Sequence, residues 1–199
     1  MSEEKDALAI SRRTVIAGAA AVPLAALTVS AQPAPTPAAL SADQRKILEA
    51  FLERLCPKDE LGPGAVECGA ADYIDIQLAG YLAPEKMTFT DGLAALDKFA
   101  QSSQSAAFTE LPPEKQDAVL TAIESGRDRQ LRAFFNRARR LMLEGMFGDP
   151  HYGGNKNFAG WDLIKYPGPR PFSTPAEQKM GVPIKPYHKS AWGMEHNGH

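Results

Sequence analysis

At Phe147 the chain changes character, and that boundary sets what it can fold into. On its N-terminal side apolar residues recur three and four apart, the spacing that gathers one face of an α-helix. On its C-terminal side, residues 148–199 hold seven prolines and eight glycines among fifty-two positions. Proline fixes φ and lacks an N–H, and glycine loses the most backbone freedom on folding, so regular structure is disfavoured there. The expected fold is mainly α: a compact domain of about five helices over 41–147, followed by a long irregular arm, 148–199, rich in proline, glycine and aromatic residues.

Ser41 and Gln44 form a capping-box pair ahead of Ile47, Leu48, Phe51, Leu52 and Leu55, which predicts a first helix over 42–55, stopped by Pro57. Ala70, Tyr73, Ile74, Gln77 and Leu78 mark a second over 65–79, with Gly80 as its stop. Thr90 is the expected cap of a third, which turns Leu93, Leu96, Phe99 and Ala100 inward and dissolves over 101–105. Phe108 and Leu111 then plug back onto the core. Pro113 opens a fourth helix that closes at Gly126, with proline at the start and glycine past the end. The fifth, from Arg129 to Phe147, is apolar at Leu131, Phe134, Phe135, Ala138, Leu141, Met142 and Met146. Its approach and other face carry Arg127, Arg129, Arg132, Arg137, Arg139 and Arg140, which read either as a solvated face or as an electrostatic seat for a partner. No alternating apolar strands joined by Asn-Gly or Asp-Gly turns occur.

Ahead of the domain, Arg12 and Arg13 stand directly before an Ala-rich apolar stretch that ends at Val29-Ser30-Ala31. A polar head, an apolar run and a small-residue exit make residues 1–31 a twin-arginine signal peptide, the address of the bacterial route that exports proteins already folded. An ordinary secretory signal containing two arginines by chance is the competing reading. The run is shorter than the roughly 20 residues a spanning helix needs, and Pro23 interrupts it. Residues 32–40 follow as a proline-rich linker. The implied partner during export is the twin-arginine translocase.

Cys56 and Cys68 are the only cysteines, in a chain addressed to an oxidising compartment, so a disulfide between them is expected, with two free thiols as the alternative. Closing a loop of that length is worth about 3 kcal/mol in the entropic account. A formal net charge of −2 carries no basic excess and points away from nucleic acid. No Gly-x-Gly-x-x-Gly or Cys-x-x-Cys-His is present, so no cofactor site of those kinds is expected in this chain. His151, His188, His196 and His199 lack the spacing of a metal site, and Asp72, Asp75, Glu144 and Asp149 read as cap and surface carboxylates, so no catalytic or metal residues are expected. A chain exported folded without a cofactor of its own implies a partner that carries one.

The segment that begins Asp149-Pro150-His151-Tyr152-Gly153-Gly154-Asn155 and runs to Trp161 reads physically as a tight hydrogen-bonded loop. Together with Glu144-Gly145-Met146-Phe147, Gly160-Trp161 and Tyr166-Pro167-Gly168, it closely resembles the gluconate 2-dehydrogenase subunit 3 family. The blocks from Arg54 to Ala65, Asp72 to Asp75 and Gln77 to Gly80 share that resemblance. The family commonly has an aliphatic residue where Cys56 stands, and the resemblance fades beyond Arg170.

The resemblance implies a periplasmic, membrane-associated complex of three subunits. FAD sits in a large dehydrogenase subunit of the glucose-methanol-choline type, haem c in a cytochrome subunit, and the small subunit supplies the export signal and stabilises the flavoprotein. Asp149, Tyr152, Gly153, Gly154, Asn155, Trp161, Tyr166 and Pro167 are the candidates for the partner interface. The arm, with Phe158, Phe172, Tyr187 and Trp192, gains stability only by lying on apolar surface, its own domain's or a partner's. The alternative function is an independent periplasmic binding module.

Overall fold

The computed structural model describes residues 38–170 and 172–193. Within them the chain is helical, with six α-helices and no named strand. The first helix, α1, runs Ala42–Leu55. Both halves of its capping box are made: Gln44 N–H donates to Ser41 Oγ at 3.2 Å and Ser41 N–H donates to the Gln44 side chain at 2.9 Å. The fourth, α4 (Pro113–Ser125), begins and ends where its proline and glycine predict, and the fifth, α5 (Arg129–Phe147), spans the residues its apolar spacing predicts. Asp128 caps α5 by accepting from the N–H groups of Gln130 and Leu131.

Three elements differ from expectation. The second helix, α2, begins later, at Ala70–Ala79, because Gly69 adopts φ 79° and the preceding residues form turns. The third, α3 (Lys86–Gln104), begins four residues before Thr90, continuing a 3-10 turn at Ala83–Glu85. Thr90 is therefore interior, its hydroxyl donating to the Met87 carbonyl rather than capping. In the stretch where regular structure was not expected, 3-10 turns at Pro150–Tyr152 and Lys156–Phe158 lead into a five-residue helix, α6 (Ala159–Leu163).

The core lies among α1 to α5, with Phe108 and Leu111 buried as plugs between α3 and α4. Phe51 of α1 meets Phe134 and Phe135 of α5 at ring-centre distances of 5.9 and 5.6 Å, and Phe89 of α3 meets Phe134 at 5.3 Å. Each such buried ring is worth about 2–3 kcal/mol of transfer free energy. Gly92 lets α3 approach, since a Cβ there would collide with the Phe134 ring. Ion pairs tie the helices from outside: Arg54 grips Asp117 of α4 through two bonds of 2.7 and 2.8 Å.

α5 is the axis of the domain. Its apolar side is buried from Leu131 to Met146, and its C-terminal half packs against α2. Gly145 permits that crossing: a Cβ would come within 2.9 Å of Ala70 Cα and Tyr73 Cβ. Beside it the Tyr73 hydroxyl donates to Glu144 at 3.0 Å. Burial, and then that bond to a carboxylate, push the Tyr73 phenol up to about 12.

Candidate functional site

An α-helix leaves its last carbonyls without partners, and those of α5 are satisfied by the chain that follows it. After Phe147 the backbone turns back across the helix end. Asn155 N–H donates to the Gly145 carbonyl at 2.7 Å, Asn155 Nδ2 to the Gly148 carbonyl at 2.9 Å, and Trp161 Nε1 to the Phe147 carbonyl at 2.9 Å. Asn155 is fully buried, and its side-chain oxygen accepts from Gly160 N–H at 2.9 Å. Lys156 N–H donates to the Cys68 carbonyl at 2.9 Å, which fastens the loop to the turns ahead of α2. One buried amide thus joins the end of α5 to the start of α6.

Space explains the glycines. A Cβ at Gly154 would strike the Gly145 carbonyl, one at Gly160 the Met146 carbonyl, and one at Gly153 the side chain of Ile76. Gly153 also holds φ 93°, a region costly for a residue with a Cβ. Asn155, Asn157 and Phe158 have φ of 45°, 55° and 60°. Asparagine tolerates that region; Phe158 is strained there and is held by packing against Trp161 and by stacking on His188, at ring-centre distances of 5.2 and 5.1 Å.

The residues of the chain's later part then lie on this knot. Asp149 accepts from His151 N–H, from Ser190 Oγ at 2.5 Å and from Ala191 N–H at 2.8 Å. Burial by itself raises the Asp149 carboxyl, and these hydrogen bonds outweigh it and hold the group below its usual range. His188 Nε2 lies 2.7 Å from Asp162, Trp192 stacks on His151, and Tyr187 N–H donates to the Pro167 carbonyl at 2.8 Å. These contacts were not legible beforehand, because irregular chain carries no periodicity that says what it touches.

The interface candidates therefore fall into two sets. Gly153, Gly154, Asn155 and Trp161 are occupied in the chain's own packing, and Asp149 and Pro167 hold residues 187–191. Tyr152 and Tyr166 present partly exposed rings, 46% and 41% accessible. Arg12 and Arg13 lie outside the described residues. Asp72 pairs with Arg45 at 2.5 Å and with Lys156, while Asp75 accepts from the N–H groups of Ala39 and Leu40 at 2.8 Å, fixing the chain ahead of α1.

The expected disulfide is not formed in this structure. Cys56 and Cys68 are free thiols, Cys68 fully buried and Cys56 partly so. Burial, then the neighbouring Cys56, push the Cys68 thiol up to about 11. Gly153-Gly154 offer no phosphate cradle, because the space over both is filled by Ile76 and the α5 backbone. A dinucleotide fold needs a strand feeding a glycine-rich turn, and the described residues contain no named strand. Among the described residues no three His, Cys, Asp or Glu side chains are grouped to hold a metal, and no helix is long and apolar enough to cross a membrane.

The arrangement explains why the helix end Glu144-Gly145-Met146-Phe147 is followed by Asp149-Pro150-His151-Tyr152-Gly153-Gly154-Asn155 and by Gly160-Trp161. Glu144 receives Tyr73, Gly145 admits α2, the Phe147 carbonyl receives Trp161, and Asn155 joins the two ends. A family model described as gluconate 2-dehydrogenase subunit 3 matches residues 42–168. The chain belongs to the gluconate 2-dehydrogenase subunit 3 family. That match takes in all six helices of the described residues and ends at Gly168, just past the knot. No curated protein and no solved structure matches the chain.

Proposed function

We propose that the chain is the non-catalytic small subunit of a periplasmic sugar or sugar-acid dehydrogenase complex, in which oxidation takes place on FAD in a large subunit of the glucose-methanol-choline type. It carries the twin-arginine address for that folded partner and stabilises it after export. The family match over 42–168 carries this reading, since the family is by description a subunit of gluconate 2-dehydrogenase. Two further observations support it: Ser11-Arg12-Arg13 stands before the apolar leader, and the family's patterned residues complete the chain's own helix ends rather than converge on a cleft. A c-type cytochrome subunit that accepts the electrons, and membrane association through the complex, belong to the same reading.

The deciding experiment replaces Arg12 and Arg13 with lysine in cells expressing the whole complex. Dehydrogenase activity should then stay in the cytoplasmic fraction. Undiminished periplasmic activity would refute the export role. A Cys56–Cys68 disulfide formed after export, with two thiol hydrogens passed to a periplasmic thiol oxidant, is part of the proposal. Titrating the exported protein under denaturing, non-reducing conditions reads it directly, and two reactive thiols would rule it out.

One observation favours the alternative, an independent periplasmic binding module. An open hollow of about 690 Å³ lies between Pro169, Arg170, Tyr187, Lys189 and Ser190. Saturable uptake of a small anion by the isolated chain, unaffected by the large subunit, would support that reading over the first.

A further inference from the structure

The arginines of this chain are used in two ways. Arg137 grips Glu85 through two bonds of 2.8 and 2.9 Å, and Arg45, Arg54 and Arg170 each clasp a carboxylate in the same partly buried manner. Arg127, Arg129, Arg132 and Arg139 are exposed, and among the described residues none has a carboxylate within ion-pair distance. Arg132 makes one long bond, 3.4 Å, to the Gly126 carbonyl, and Arg140 reaches Glu144 at 3.2 Å. Arg129, Arg132, Arg139 and Arg140 share one face of α5 over about 16 Å of helix, with exposed Asn136 and Leu143 among them.

Folding does not ask for this face. Arg129 and Arg132 stand near the start of α5, where the helix dipole disfavours cations, and they repel each other across three positions. A face needing only solubility is served as well by lysine mixed with glutamate, yet α5 contains no lysine and a single glutamate. Arginine's planar fork matches a carboxylate through two parallel bonds, and protein interfaces are enriched in arginine and depleted in lysine. A lipid surface fits less well. An interfacial helix inserts its apolar side into the bilayer, whereas that side of α5 is buried in the domain core.

We propose that the outward face of α5, centred on Arg132 and Arg139, is the surface on which an acidic strip of the large dehydrogenase subunit docks. This rests on the accessory-subunit reading above. The full chain is co-expressed with its large subunit, and complex formation is measured for the wild type, for Arg132→Glu/Arg139→Glu, and for a control with the same charge change elsewhere, Lys98→Glu/Lys115→Glu. Thermal melts establish that each variant is folded, and Arg132→Gln/Arg139→Gln replaces the reversal should it melt early.

The arginine variant should bind about tenfold or more weakly, the control should match the wild type, and wild-type binding should weaken as salt rises. Equal binding by the arginine variant, or equal loss in the control, overturns the proposal while leaving the accessory role intact. Failure of the wild type to bind the large subunit sinks the underlying reading instead. Binding of the wild type to phosphatidylglycerol vesicles, lost in a variant that still binds the large subunit, would assign the face to the membrane and also overturn it.

Discussion

Residues 148–166 and residues 172–193 are built from the same palette of proline, glycine and aromatic residues, and the molecule uses them in opposite ways. In the first, Phe158 and Trp161 are almost fully buried; in the second, Phe172 and Met180 stand in solvent at 88% and 103% accessibility and Trp192 at 63%. The first segment finds the unpaired carbonyls of α5 and the bare backbone at Gly145 within reach, so its polar groups are seated together with the rings of Phe158 and Trp161. By the time the second segment arrives, that ground is covered. It is joined to the knot chiefly at its end, through Asp149, Asp162 and Pro167, while Arg170 binds Glu177 and the Lys185 carbonyl locally. Aromatic content alone therefore does not tell whether an irregular segment belongs to a core. Unsatisfied backbone within its reach decides that.

The comparison breaks hardest at Gly160. Replacing it with alanine sets a Cβ against the Met146 carbonyl, a backbone atom that cannot swing aside, and should cost about 3 kcal/mol or more in chemical denaturation. A near-wild-type midpoint would mean that the knot is not seated as described. Next comes Asn155→Ala, which leaves the Gly148 carbonyl and Gly160 N–H without their buried partner, at about 2 kcal/mol. Trp192→Ala should sit at the other extreme, within about 0.5 kcal/mol in the same assay, since its ring is mostly in solvent. Comparable losses at the two sites would erase the distinction between the segments.

A smaller effect than that of Asn155 concerns the seam between them. The Asp149 carboxyl is held below its ordinary value of 3.8, so the stability it contributes is complete above that value and is lost as pH falls through the lower folded one. The protection of amides at 187–192, taken relative to the intrinsic exchange rate at each pH, should therefore fall under acid while α1 and α5 stay protected. With Asp149→Asn the loss of protection should already be present at neutral pH, by about 1 kcal/mol, and should no longer depend on acid. Protection in that stretch that ignores both acid and the substitution would show that the seam is held elsewhere.

Much of the helical domain was legible from the sequence because its signals are local. Ser41 with Gln44, and Pro113 with Gly126, mark the ends of α1 and α4 within a few residues of themselves, and the apolar spacing of α5 is long enough to define a face. Thr90 misled because a cap depends on where the preceding chain arrives, and here the 3-10 turn at Ala83–Glu85 starts α3 early. At five residues, α6 is too short to show a period and exists because Trp161 is anchored on Phe147. The family pattern was recognised from the sequence, but its meaning was not.

What the sequence determined by itself, then, was the helical class, the boundary at Phe147 and the family pattern, all of which follow from spacing and capping along a few neighbouring residues. Only the tertiary structure decided that Asn155, Gly160 and Trp161 complete α5, that Asp75 fixes the chain ahead of α1, and that arginines on a single helix divide into paired and unpaired. Those outcomes depend on which backbone atoms and carboxylates lie within about 3 Å in space, and residues far apart in the chain supply them.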